Sequence, residues 1–245
     1  MDYSIDFSGR TVLVVGGTSG IGNATAQAFR GQGATVHVWG TRPSREDYAG
    51  EEGSDLTGLT YAAMDVSDFD AVRTCQPGFD TLDVLVLCQG LVLYKKQEFE
   101  IEGFQKVLDV NLTSLMACAT RFQPMLEASG GTLIIVSSTA AFHATRGNPA
   151  YNASKAGALG LTRTLGQAWA GKGVRVNGIA PGFIPTRMTR VTTEDEGRAQ
   201  SAKQRIPMGR FGRPEEMAGI ALFLASPLSG YVTGQTIIAD GGMLL

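Results

Sequence analysis

The apolar run Thr11-Val-Leu-Val-Val15 stops abruptly at Gly16-Gly17-Thr18-Ser19-Gly20-Ile21-Gly22. A continuous β-branched run predicts a strand covered on both faces. Residues 21–30 then carry a helical pattern, and a second strand pattern at 35–39 follows Gly33. Strand, glycine turn, helix and strand in such quick succession predict a βαβ unit. The glycines at 16, 20 and 22 fall in the spacing Gly-x-x-x-Gly-x-Gly. A turn of this kind must be tight, and its backbone must closely approach a bound group that a Cβ would obstruct. The following helix aims free N–H groups and its positive dipole end at the turn, which suits a pyrophosphate.

The alternation continues along the chain. Strands are expected at 59–64, 84–87, 132–136, 174–179 and 235–239. Helices are expected at 67–75, 99–126, 149–170 and 214–225, the last with Pro214 at its start. Strands alternating with helices predict a single α/β domain over 1–245, a doubly wound, Rossmann-like parallel sheet of about seven strands with helices on both faces. Residues 181–206 are polar, rich in Thr and Arg, and weakly patterned, as lids often are.

Composition narrows the partners. With 43% hydrophobic residues the chain can bury a sizeable core, and its net charge of −2 lacks any polybasic run. Neither nucleic acid nor an anionic membrane is expected to bind. The N-terminal residues have no basic stretch followed by a long apolar one, and no apolar run approaches a membrane span. Cys75, Cys88 and Cys118 are odd in number and widely spaced, which fits buried thiols in a reducing cytoplasm rather than disulfides or a metal site.

Two features point to the cofactor. Asp65-Val66 ends the expected third strand, where a carboxylate can accept from an adenine amino group. The second strand ends Trp39-Gly40-Thr41-Arg42, without the acidic residue that would hold a ribose 2′-hydroxyl. Thr41 can donate to a 2′-phosphate and Arg42 can pair with it, which favours NADP(H) over NAD(H).

The chemistry points to Tyr151 and Lys155, one helical turn apart on one face. A free tyrosine, with pKa near ~10, is a poor base at neutral pH. An ammonium within ~5 Å would lower that by about two units. Tyr151 would then serve as general acid–base. Ser138, at the end of a strand, could donate to a substrate carbonyl, with Ser137 a competitor for that role. Asn111 lies inside the long helical stretch, where a local kink or exposed carbonyl could hold a water against Lys155. The two histidines, His37 and His143, support neither a zinc site nor a Ser–His–Asp hydrolase, and no Gly-x-Ser-x-Gly elbow is present.

These residues resemble the short-chain dehydrogenase/reductase family, in its branch of about 250 residues. The resemblance spans nearly the whole chain: the glycine turn, Asp65-Val66, Asn111, Ser138, Tyr151, Lys155, Asn177, Pro181-Gly182, Gly212-Arg-Pro-Glu-Glu, Tyr231-Val-Thr-Gly234 and Asp240-Gly-Gly242. It implies an oxidoreductase that moves a hydride between a nicotinamide and a carbonyl or secondary alcohol. Asn111, Ser138, Tyr151 and Lys155 would be the catalytic set. Gly90 would make room for the cofactor ribose, with Pro181, Gly182, Ile184 and Thr186 at the nicotinamide end. It also implies a homotetramer, packed through the 99–126 and 149–170 helices and the C-terminal segment. Two positions depart from the family: Val15 stands for Thr, and Leu87-Cys88-Gln89-Gly90 for Asn-Asn-Ala-Gly. The expected substrate pocket includes residues 91–94 and 140–145, Asn148, Phe183 and Met188, with Arg146, Arg187 and Arg190 as a candidate basic patch for an acidic acyl carrier. A 3-oxoacyl thioester, a cyclic ketone, a steroid or a sugar alcohol all remain compatible. The main alternative to an enzyme is a sensor that holds NADP(H) without turnover.

Overall fold

The computed structural model describes residues 5–245. The reading of an N-terminus without a basic leader rests partly on residues 1–4, which lie outside the described residues. Seven parallel strands form one sheet in the order β3-β2-β1-β4-β5-β6-β7. They are β1 (Thr11–Val15), β2 (Thr35–Gly40), β3 (Thr60–Ala63), β4 (Val84–Leu87), β5 (Thr132–Val136), β6 (Arg175–Pro181) and β7 (Thr236–Ala239). The central strands are the apolar runs of the sequence, and β4 and β5 are buried along their whole length. Side chains pointing to either face meet a helical layer, which is why these strands do not alternate in polarity.

On one face, α1 (Gly20–Gly31) and α8 (Pro214–Ala225) pack Ala26, Phe29, Met217, Ala221 and Leu224 against Val12, Val14, Val86 and Ile134. On the other face lie α2 (Phe69–Thr74), α4 (Ser114–Ser129) and α5 (Pro149–Ala170), with Leu115, Phe122, Leu126, Leu165 and Trp169 over Leu13, Leu85, Leu87 and Leu133. Phe122 is fully buried between Trp39, at 5.5 Å between ring centroids, and Phe79, at 6.0 Å. His37 is buried in β2 against Phe79, a packing residue rather than a ligand.

Two segments differ from the sequence expectation. The long helix of 99–126 is divided into α3 (Ile101–Leu108) and α4 by a π turn, Asp109–Thr113. The expected kink therefore takes the form of a π turn that contains the buried Asn111. The stretch 181–206 is largely helical, with α6 (Arg190–Thr193) and α7 (Glu196–Gln204). Asp195 caps α7 by accepting from the Arg198 amide at 2.8 Å, while only Ala199 and Ala202 are buried. A helix with so small an apolar stripe leaves little periodic signal in the sequence. No helix among the described residues is long and apolar enough to cross a membrane.

Replacing Phe122 with Ala removes the ring that links β2 to α4. The expected cost is about 3–5 kcal/mol, read as a lowered midpoint in urea unfolding, with the cofactor cleft left intact in the protein that remains folded.

Candidate active site

The sheet order reverses direction between β1 and β4, and a cleft of about 600 Å³ opens at the carboxyl ends of the strands there. This is where an open parallel sheet offers a crevice to ligands. Gly16, Thr18, Ser19, Gly20, Ile21 and Gly22 form one wall, and Thr41, Asp65, Val66 and Gly90 continue it. Ser138, Tyr151 and Lys155 stand toward the other end, under Pro181, Gly182, Ile184 and Thr186. Of the catalytic and cofactor residues chosen from sequence, only Asn111 and Arg42 fail to line the cleft; of the expected substrate pocket, Leu91, Val92, Tyr94 and Met188 line it, whereas Leu93, residues 140–145, Asn148 and Phe183 do not.

The glycine turn is built for close approach. A Cβ on Gly22 would fall 2.2 Å from the Gly16 carbonyl oxygen, and one on Gly16 would fall 2.9 Å from the Gln89 nitrogen. Gly16 also has a φ of +74°, which a side chain would strain. Ser19 caps α1 without a side-chain bond to the helix amides, and the positive end of the helix dipole stands at the cleft. These features fit a dinucleotide pyrophosphate. Asp65 accepts from the Ser67 hydroxyl at 2.6 Å and amide at 2.9 Å, which hold its carboxyl below the usual range and keep it an acceptor. The two asparagines missing after β4 are compensated in part by Gln89, which donates to the Ser114 hydroxyl at 3.0 Å and ties β4 to α4. Cys88 sits beside Lys155, and burial pushes its thiol up to about 11, so it stays neutral.

Lys155 is buried and donates from Nζ to the Val136 carbonyl at 3.0 Å. Burial pushes its ammonium down to about 8. Its Nζ lies 5.6 Å from the centre of the Tyr151 ring. The expected depression of Tyr151 by Lys155 is reversed here. Burial pushes the phenol up to about 12, Ser138 pulls it the other way, and Tyr94, Cys88 and Glu98 add to the rise. The reason is that desolvation of the phenolate exceeds the attraction of an ammonium that is held on a strand carbonyl.

Ser138, two residues past β5, is in extended conformation and accepts from the Ala140 amide at 3.1 Å. Ser137 is not a rival, because its hydroxyl donates to the Lys155 carbonyl at 2.8 Å and is spent on α5. Asn111 lies behind the cleft. Its side chain accepts from the Leu91 amide at 2.6 Å and donates to the Leu91 carbonyl at 2.8 Å and to Ser154 at 3.1 Å. These side-chain bonds fix the loop after Gly90.

Arg42 departs from its expected place as a free phosphate reader. Its guanidinium lies 4.5 Å above the Tyr48 ring, donates to the Asp47 carbonyl and pairs with Glu51. The loop between β2 and β3 supplies this carboxylate, nine positions from Arg42, where the strand tip itself supplies none.

Glu98 is a second residue without a sequence signal. It is completely buried, yet its carboxylate accepts from the Leu93 amide at 3.0 Å, the Asn148 side chain at 3.1 Å and the Tyr151 amide at 2.9 Å. Pro149 opens α5, and Glu98 caps the first turn from outside the helix. It thereby fixes where the helix carrying Tyr151 and Lys155 begins.

A family model described as Enoyl-(Acyl carrier protein) reductase matches residues 15–244. The chain belongs to this short-chain dehydrogenase/reductase family, whose fold it shares, and is an NAD(P)-dependent oxidoreductase. Similar proteins include the 3-oxoacyl-[acyl-carrier-protein] reductase FabG of Chlamydia pneumoniae, 38% identical with 98% of both chains covered. The 2-dehydro-3-deoxy-D-gluconate 5-dehydrogenase of Bacillus subtilis is 36% identical over 98% of this chain and 97% of its own. Among solved structures, an active-site complex of Pseudomonas aeruginosa RhlG with NADP superposes with a TM-score of 0.89 at 31% identity, covering 100% of each chain.

Glu98→Ala should orphan three donors in a dry site, at about 1–3 kcal/mol each before relaxation. Thermal unfolding should therefore begin several degrees lower, and amide exchange should speed up most in the first turn of α5.

Proposed function

We propose that this protein reduces a ketone with NADP(H), with a 3-oxoacyl thioester as the favoured substrate class. One observation carries the reading: Ser138, Tyr151 and Lys155 converge at one end of a single cleft whose other end is the glycine turn. The dinucleotide supplies a hydride when bound. The protein's residues do the rest. The glycine turn and the first turn of α1 hold the pyrophosphate, Asp65 accepts from the adenine, and Lys155 serves the nicotinamide ribose. Ser138 donates to the substrate oxygen, and Tyr151 delivers the proton that the developing alkoxide requires. With its pKa near about 12 the phenol is protonated at neutral pH, the state that reduction consumes. Asn111 and Glu98 position this set. The stretch 181–206 acts as a lid: Thr186 stands over Gly20, Arg187 donates to Ser19 at 3.0 Å, and Tyr94 donates to the Met188 carbonyl at 2.6 Å.

The substrate end is walled by Leu91, Val92, Tyr94 and Met188. The cations lining the cleft are Lys155 and Arg187, and Arg187 is held by Ser19 and Glu51. A sugar acid would find no free cation there, whereas an acyl chain finds apolar walls. The expected basic patch changes membership. Arg187 turns to the glycine turn and Arg190 pairs with Glu194, while Arg146, like Lys95 and Lys96, is exposed. These exposed cations suit an acidic carrier. A homotetramer is supported by exposed apolar side chains just ahead of and along the α3–α4 arm and at the C-terminus: Phe99 at 60%, Ile101 at 78%, Met116 at 44% and Leu245 at 107%.

Activity should be highest on acetoacetyl thioesters in a panel that also holds cyclic ketones and keto sugar acids; preference for the sugar acids would reverse the substrate assignment. Tyr151→Phe should lower kcat by at least about a hundredfold while NADPH still quenches tryptophan fluorescence. Reduction should decline as pH rises through about 8, where Lys155 loses its charge. Alcohol oxidation, which needs the phenolate, should instead keep rising with pH, as initial rates in both directions will show.

A further inference from the structure

Three charged side chains from separate segments meet beside the glycine turn. Arg42 follows β2, Arg187 comes from the segment that covers the cleft, and Glu51 stands between β2 and β3. Glu51 pairs with Arg42 through one oxygen and with Arg187 through the other, the latter at 3.3 Å. Arg187 also reaches Ser19 on the turn itself. The loop that carries Glu51 is fastened to the start of α1. The Gly20 amide donates to the Gly53 carbonyl at 3.0 Å. Asn23 donates to the Asp55 carbonyl at 2.7 Å, and its oxygen accepts from the Asp55 amide at 3.1 Å. Under the cluster, the buried Tyr48 ring supports the Arg42 guanidinium, and its hydroxyl accepts from the Arg42 amide at 3.2 Å. Tyr48 itself lines the cleft next to Thr41 and Thr18.

A carboxylate thus stands just outside the adenosine end of the cleft, joined to it through Arg187 and delivered by a loop instead of by the strand tip. Phosphate and carboxylate are the two anions that select between the cofactors in such folds, one pairing with Arg and the other accepting from a ribose hydroxyl. Here both recognition elements are present and already bound to each other.

We propose that Glu51 sets cofactor selectivity: it competes with the 2′-phosphate of NADP(H) for Arg42 and Arg187 and accepts from the free 2′-hydroxyl of NAD(H), so the protein takes both. This rests on the reading of the cleft as a dinucleotide site. Glu51 and Arg42 are each about one-third exposed, at 33% and 30% of the side chain. A solvated pair of this kind is weak enough for an incoming phosphate to displace. The retained carboxylate nevertheless repels that phosphate, which holds down the preference for NADP(H).

The test is direct titration of NADPH and NADH, followed by nicotinamide fluorescence without any substrate, on wild type, Glu51→Gln, Glu51→Asp and Asp47→Asn. Glu51→Gln should tighten NADPH by up to about fivefold, the scale of one released exposed charge contact, and should weaken NADH. Glu51→Asp keeps the charge but is too short to span both arginines, and should fall between wild type and Glu51→Gln. Asp47→Asn makes the same change in net charge next to Arg42, whose contact there is to the Asp47 carbonyl, and should leave the ratio alone. An unshifted ratio in Glu51→Gln, or an equal shift in Asp47→Asn, overturns the role of Glu51 and leaves the dinucleotide cleft standing. Wild-type protein that binds neither nucleotide overturns both.

Discussion

The close contact of the glycine turn with the end of β4 is the constraint on which the rest of the site depends. β1 and β4 are neighbours in the sheet, although one α-helix leaves each in a different direction. The chain must turn out of β1 at Gly16, pass within touching distance of Gln89, and enter α1 at once. Any side chain at Gly16 or Gly22 would push these elements apart. Because they meet, the cleft has a floor of strand ends and a wall of helix amides, and α5 and the covering segment close the remaining sides.

Within that frame the chemistry is governed by dryness. Tyr151, Lys155 and Glu98 are withdrawn from water to different ends. Lys155 is weakened as an acid-holding cation, Tyr151 is strengthened as a proton holder, and Glu98 keeps its place because three N–H donors replace its hydration. A phenol that stays protonated suits the delivery of a proton better than its removal. The resting protonation of this pair is therefore set by burial rather than by the attraction between phenol and ammonium.

Much of this was legible in the sequence. β1, β4, β5, α5 and α8 have the bounds that their apolar patterns and proline starts indicate. The glycine spacing placed the turn, and the Tyr151–Lys155 interval placed both side chains in the cleft. What escaped was of another kind. Glu98 is a single acidic residue in a polar stretch, and nothing about its neighbours reveals that the chain folds it inward. The partnership of Glu51 with Arg42 depends on the path of a loop with only a short 3₁₀ turn, Glu46–Tyr48, and no periodic pattern. The direction of the Tyr151 shift depends on how much solvent remains around it, a property of the assembled fold. α7 went unseen because two alanines are all it buries.

The links that cross the top of the cleft bear on motion as well as on structure. Arg187 joins the covering segment to the phosphate wall, and Tyr94 joins it to the opposite wall at Met188. The segment is thus held from both sides of the cleft at two consecutive residues, 187 and 188, so a shift of that one step of backbone loosens both attachments together.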